Sequence, residues 1–147
     1  MKTRLVSTFA ALLCFSTLAL SQTPPGWKTT IDMNRKCQIA FPSTWQVNDP
    51  PDGQANAADG GRAVIVVGSS DKLKPLSPEW QKLYAVQRIL ENTAERVFFV
   101  SNHGDETVQY IVDQQFKGVR CNAQIIVPKR YPEDEIIRIA ATLALFH

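Results

Sequence analysis

The fold of this chain is decided by residues 96–128, which read RVFFVSNHGDETVQYIVDQQFKGVRCNAQIIVP. Apolar and polar side chains alternate along its later runs, and a period of two is typical of half-buried strands. Two short connections, which contain Gly104 and Gly118, separate three such runs. Glycine and asparagine tolerate the backbone angles of tight turns. Three strands joined by two tight turns predict an antiparallel meander.

Three more strands are predicted upstream of this meander. Residues 27–33 and 37–41 alternate between apolar and polar side chains, and Pro42 ends the second run because proline has no N–H to donate. Residues 63–67 form an almost continuous β-branched run, which is typical of a strand buried on both faces. We therefore expect a layer on each side of this sheet. The core face of the first strand is expected to comprise Trp27, Thr29, Ile31 and Met33.

Two helices complete the predicted domain. Ser77-Pro78-Glu79 has the hydroxyl, proline and acid that favour a helix start, and apolar residues then follow at three- and four-residue steps to about Asn92. A second helix is expected to begin at Tyr131-Pro132-Glu133. The resulting order, β-β-β-α-β-β-β-α, predicts a single α+β domain over residues 27–147.

Residues 1–21 have the three parts of a secretory signal peptide: a positive start, an uncharged apolar middle, and small residues at Ala19 and Ser21 before Gln22. A permanent membrane anchor is one alternative, and a lipoprotein attached through Cys14 is another. Leu13 stands where a lipobox needs a small residue. We therefore predict cleavage, a flexible leader at 22–26, no permanent membrane span, and a periplasmic or extracellular location.

Processing removes the excess of positive charge. The whole chain has 16 Lys and Arg against 14 Asp and Glu, and Lys2 and Arg4 lie in the signal, so the mature chain is formally neutral. Its basic residues stand singly or in pairs. Attraction to phosphate scales with the number of Lys and Arg contacts, so we expect no nucleic-acid partner.

Processing also leaves two of the three cysteines, Cys37 and Cys121. Each lies on the apolar face of a predicted strand, so both can point into one core. An even number of cysteines in an exported chain predicts a disulfide between them. Two buried free thiols are the alternative.

Candidate catalytic or metal-binding residues are few. His103, Asp105 and Glu106 lie on one turn, where an imidazole and two carboxylates could hold a metal, or where the histidine could activate Ser101. A structural zinc site needs four ligands, and a catalytic triad needs an orienting acid. We expect a solvent-exposed turn, with no catalytic residue, no metal and no cofactor.

Residues 48–61 are predicted to form a long loop, and therefore a candidate functional surface. Asp49, Asp52 and Asp59 could contribute to a calcium site, but their spacing does not match an EF-hand, so solvated acids are expected.

The three tryptophans, Trp27, Trp45 and Trp80, are expected to pack in the core. The alternative is an exposed tryptophan that lines a ligand groove. Large aromatic side chains serve either purpose.

The segment CQIAFPSTW, residues 37–45, resembles the apolar-x-apolar-x-x-P-x-x-W opening of the Mog1/PsbP-like superfamily, and the order of elements over residues 27–146 is similar too. The resemblance implies an α/β/α sandwich in which an antiparallel sheet packs between helices. It also implies accessory binding, as in an extrinsic photosystem subunit or a partner of the nuclear-transport GTPase. It assigns no functional residue here, and the signal peptide and cysteine pair depart from the nuclear-transport branch.

The sequence therefore favours an exported, non-enzymatic accessory or binding module. Its expected partner is a protein or small ligand in the cell envelope or exterior. The alternative is a small secreted hydrolase or metal-dependent enzyme that uses the turn at His103, Asp105 and Glu106.

Overall fold

A computed structural model describes residues 23–67 and 72–147. The predicted signal peptide, with Cys14, lies outside these residues. The described residues form ten strands and two helices. Their bounds are β1 (Lys28–Ile31), β2 (Cys37–Phe41), β3 (Gln46–Val47), β4 (Gln54–Asn56), β5 (Arg62–Val67), α1 (Pro78–Leu83), β6 (Val86–Asn92), β7 (Arg96–Asn102), β8 (Thr107–Phe116), β9 (Val119–Pro128), α2 (Glu133–Ala141) and β10 (Ala144–Leu145). No helix in this part of the chain is long and apolar enough to cross a bilayer.

The strands pair into two antiparallel sheets. The smaller sheet has the order β1-β2-β10, and the larger has the order β3-β4-β5-β9-β8-β7-β6. Strands β7, β8 and β9 form the predicted meander, with Phe99 opposite Ile111 and Tyr110 opposite Ile125. The prediction of a meander is therefore confirmed.

The predicted α/β/α sandwich is wrong. The layer on the inner face of the larger sheet is made by the smaller sheet together with α2, whose Ile136, Ile139 and Ala140 are buried. On the opposite face, α1 has only six residues and none of them is buried, so it does not form a layer. The chain is mostly β-structure, and the predicted order β-β-β-α-β-β-β-α misses β3, β4, β6 and β10.

The helix predicted over 77–92 ends early. It stops at Leu83, and Ala85 has a φ of 48°, in the left-handed region that ends helices. The chain then continues as β6, which pairs with β7 and has two register irregularities, one after Val86 and one after Ile89. A bulge adds one residue to a strand, so a spacing of two becomes a spacing of three. The apolar residues of β6 therefore repeat almost as they would in a helix.

The core lies between the two sheets and is closed by a disulfide. Cys37 on β2 and Cys121 on β9 are both fully buried and are bonded, with their Cα atoms 5.9 Å apart. The bond joins one sheet to the other, which confirms the predicted pairing. The largest fully buried side chains around it are Ile39, Phe41, Trp45, Val112, Ile125, Val127, Ile136 and Ile139.

The prediction of which side chains of β1 and of the following turn face the core is wrong. Thr30 and Asp32 are buried, whereas Met33 is 85% exposed. The Asp32 carboxylate accepts hydrogen bonds from three backbone N–H groups of the following turn, including that of Cys37 at 2.5 Å. The Thr30 hydroxyl accepts from the backbone N–H of Gly53 at 3.1 Å. Both polar side chains can be buried because each satisfies backbone groups.

The segment 48–61 is only partly a loop. It contains β4, which pairs with β3 and β5, and Ala55 is 1% exposed. The predicted burial of both faces of β5 is wrong at Val64, which is 37% exposed. Ala63 beside it is buried, so this strand alternates between an inner and an outer face.

Candidate ligand groove

The outer face of the larger sheet, turned away from the smaller sheet, carries a groove of about 770 Å³. It lies between the sheet and the segment 72–84, which runs across β7 from β8 toward β6. The apolar lining consists of Leu73, Pro75, Leu76, Trp80, Tyr84, Val97, Phe99 and Ile111. The polar lining consists of Lys72, Lys74, Asp113, Arg120, Asn122 and Gln124.

Hydrogen bonds at two points hold this segment against the sheet. The Gln115 side chain, at the end of β8, accepts from the backbone N–H of Leu73 at 2.9 Å. The Asn92 side chain, at the end of β6, accepts from the backbone N–H of Leu76 at 2.8 Å and donates to its carbonyl at 3.3 Å. Leu73 is 6% exposed and packs on the apolar outer face of the meander. The segment is therefore tied to the sheet on both sides of β7.

Helix α1 positions two aromatic side chains above the groove. Ser77 caps the helix, since its hydroxyl accepts from the backbone N–H of Trp80 at 3.4 Å. The same hydroxyl donates to Glu79 at 2.6 Å, and this hydrogen bond lowers the pKa of the Glu79 carboxyl. Trp80 stacks on Tyr84 with ring centroids 5.7 Å apart, and Tyr84 lies 5.8 Å from Phe99 of the sheet. The Trp80 and Tyr84 side chains remain 51% and 45% exposed, so this aromatic pair presents apolar surface to solvent.

The polar wall of the groove is built from neighbouring strands. Arg120 on β9 donates through Nε to both carboxylate oxygens of Asp113 on β8, at 2.8 and 2.9 Å. Asp113 is 6% exposed, whereas the Arg120 side chain is 32% exposed, so the carboxylate is buried and the guanidinium reaches solvent. Asn122 lies opposite Asp113, and Gln124 lies opposite Ile111. Alternation along β9 therefore places a guanidinium and two amides in one row.

The amide of Gln124 is partly engaged. Its Oε1 accepts from the Gln109 side chain at 3.0 Å, and within the described ranges its Nε2 has no partner. Lys72 and Lys74 stand exposed at the rim. The lining residues thus include three cationic groups and one carboxylate, and the groove has a positive balance.

The structure leaves the predicted turn candidates outside this groove. His103, Asp105 and Glu106 lie exposed between β7 and β8, where the Thr107 hydroxyl donates to the His103 carbonyl. Across residues 23–67 and 72–147, no three side chains of His, Cys, Asp or Glu are grouped closely enough to hold a metal ion.

The three tryptophans have three different environments. Trp45 is 1% exposed and donates from Nε1 to the Tyr131 hydroxyl at 3.0 Å, which confirms its predicted place in the core. Trp27 is half-buried, with the Arg138 guanidinium 5.3 Å from its ring. Core packing was the wrong expectation for Trp80. The sequence does not predict the groove, because the pattern over 77–92 places Trp80 on the buried stripe of a longer helix, whereas α1 ends at Leu83.

Comparisons with known proteins give a structural likeness only. No family model and no curated protein sequence matches the chain, so the resemblance to the Mog1/PsbP-like superfamily stays a prediction. A solved structure from Bacteroides thetaiotaomicron VPI-5482, determined at 1.50 Å resolution, superposes with a TM-score of 0.53 at 15% identity. The match covers 82% of this chain and 48% of that one, so this chain spans about half the length of the structure that it matches. The likeness therefore concerns the fold alone.

Proposed function

We propose that this protein is an exported, non-enzymatic binding module that holds a ligand in the groove on the outer face of its larger sheet. Export is supported by the bond between Cys37 and Cys121, because disulfides persist mainly in oxidising compartments. The signal-like residues 1–21 support it as well.

The aromatic pair is the observation that carries the binding proposal. Trp80 and Tyr84 keep about half of their surface in water although apolar surface lies directly beneath them in the sheet. Leaving large aromatic rings exposed forgoes the free energy of burying them. Ligand sites typically combine such apolar walls with a few fixed polar groups, and here Asn122 and Gln124 supply these.

Binding is favoured over catalysis by the state of the ionisable pair in the groove. Asp113 and Arg120 bond to each other through two donors, so their charges are matched before any ligand arrives. A general base or nucleophile needs a free position toward the reacting atom. The pair is suited to orienting polar groups of a ligand.

The proposal is tested with a panel of soluble compounds: oligosaccharides, nucleotides, amino acids, short peptides and fatty acids. Each is screened by thermal shift against the mature protein, Trp80→Ala and Leu83→Ala. Leu83 is on the same short helix, is 71% exposed and does not line the groove, so its truncation is the matched control. A ligand that stabilises the mature protein and Leu83→Ala, but not Trp80→Ala, supports the proposal. A panel in which no compound gives this pattern overturns it.

A further inference from the structure

We infer that the ligand of this groove is an acidic oligosaccharide, a short chain of sugar rings that bears carboxylates. This inference rests on the proposed function, because it names the ligand class of the same groove. Three features of the lining carry it: the aromatic pair, the row of amides, and the positive rim.

The aromatic pair suits the apolar face of a sugar ring. The faces of aromatic rings carry negative charge density, which attracts weakly positive hydrogens and cations. A pyranose ring has one face made largely of C–H groups, and these can pack on an open indole. Trp80 has such an open surface, since it is 51% exposed while its ring also stacks on Tyr84.

The amide row suits the hydroxyl groups at the edge of a sugar ring. A hydroxyl both donates and accepts hydrogen bonds, and a carboxamide does the same through its NH₂ and its oxygen. Asn122 and Gln124 lie two residues apart on β9 and face the groove on the same side of the sheet. The distance between alternate residues of a strand is about 6.6 Å, comparable with the spacing of hydroxyls across a sugar ring.

The rim adds the preference for an acid. Lys72 and Lys74 are exposed on the segment that forms one wall, and Arg120 lies in the opposite wall. Asp113 is matched by Arg120, so the two lysines supply the unbalanced charge. Exposed ammonium groups attract carboxylates over a range that salt screens. A sugar chain with regularly placed carboxylates can reach this rim while one ring lies on Trp80.

Nucleotides are the main competing chemistry, because a base also stacks on an indole and a phosphate is also an anion. The test therefore uses three probes: tetragalacturonic acid, the neutral tetrasaccharide cellotetraose, and adenosine 5′-monophosphate. Binding to the mature protein is measured by titration calorimetry at about 0.01 M and about 0.15 M ionic strength.

Four variants separate the contributions. Trp80→Ala removes the stacking surface, and Trp80→Phe restores an aromatic ring. The double variant Lys72→Gln/Lys74→Gln removes the rim charge. Its control is Lys129→Gln/Arg130→Gln, an exposed pair about 30 Å from Arg120 along β9, which changes net charge equally.

We expect the tetragalacturonate to bind at least tenfold more tightly than cellotetraose at low ionic strength. Trp80→Ala should abolish measurable binding of the tetragalacturonate, and Trp80→Phe should retain part of that binding. The Lys72/Lys74 variant should weaken the affinity for the tetragalacturonate by about tenfold, since exposed ion pairs contribute up to about 1 kcal/mol each. The Lys129/Arg130 variant should leave this affinity unchanged.

Two results would overturn the inference. Equal binding of the acidic and neutral tetrasaccharides refutes the preference for acid, and tighter binding of adenosine 5′-monophosphate than of either sugar refutes the ligand class. In both cases, loss of ligand binding in the Trp80→Ala variant would still support the proposed binding module. Sugar binding that is unaffected by Trp80→Ala would instead count against the groove itself, and so against both proposals.

Discussion

The disulfide between Cys37 and Cys121 should provide a large part of the stability of this domain. The bonded residues are 84 positions apart, so the bond closes a long loop in the unfolded chain. The chain-entropy model gives a stabilisation of about 4–5 kcal/mol for a loop of this size. Because single domains are stable by about 5–15 kcal/mol, opening the bond should remove about a quarter or more of the total free energy of unfolding.

The perturbation is made in three ways, with Cys37→Ala, Cys121→Ala and the double variant. Any one of them opens the loop, so all three should lose the same constraint. The remaining differences reflect the packing of the sulfur atoms, which are fully buried. Urea unfolding followed by circular dichroism should show the midpoint falling by about 2–5 M for a slope of about 1–2 kcal/mol/M. The mature protein under reducing conditions should shift in the same direction.

The refuting result is additivity. If the two single variants destabilise the domain independently and their effects sum to that of the double variant, the residues do not share a bond. Labelling provides a second check, since the denatured but unreduced protein should contain no thiol that reacts with a maleimide. Two reactive thiols per chain would restore the alternative of buried free cysteines.

Four further outcomes are expected. Tyr131→Phe should lower the free energy of unfolding, measured with urea, by about 1–3 kcal/mol, because the indole N–H of buried Trp45 loses its hydrogen-bond acceptor. Burial raises the pKa of Tyr131, so above about pH 10 this tyrosine ionises in the unfolded chain before it does in the folded one. The protein should therefore lose stability as the pH rises above about 10, and Tyr131→Phe should lose less. Ala85→Gly should stabilise the domain by up to about 1 kcal/mol by relieving the positive φ, whereas Ala94→Gly should not. N-terminal sequencing of protein exported by a host cell should begin at Gln22, and an uncleaved chain would contradict the signal peptide.

Much of the larger sheet could be predicted because its pattern is local. Alternation along residues 107–127 determines which side chains face inward, and the structure buries Cys121, Ala123 and Ile125 as that pattern requires. The tight turns at Gly104 and Gly118 set the pairing of the three strands, and both glycines have positive φ. These signals act within a few residues and need no knowledge of the rest of the fold.

The smaller sheet could be predicted only in part, because its third strand pairs with a distant segment. Strand β10 has only two residues, Ala144 and Leu145, and they pair with β2, more than a hundred positions earlier. No periodicity can be read from two residues. The burial of Asp32 could not be predicted for a related reason, since a charged side chain is expected to be exposed unless the backbone donors around it are known.

The largest error of the sequence-based prediction is the single helix over residues 77–92, which lies beside the candidate groove. One structural feature explains both the short helix and the groove. The positive φ at Ala85 ends α1 and directs the chain into the edge strand β6. A helix that continued would have had length enough to bury its apolar stripe against the sheet. The short helix cannot do so, and Trp80 remains over the sheet's outer face with about half of its surface exposed. Natural sequences depart from local rules mainly at functional or strained sites, so this departure is itself a reason to look for the ligand at Trp80.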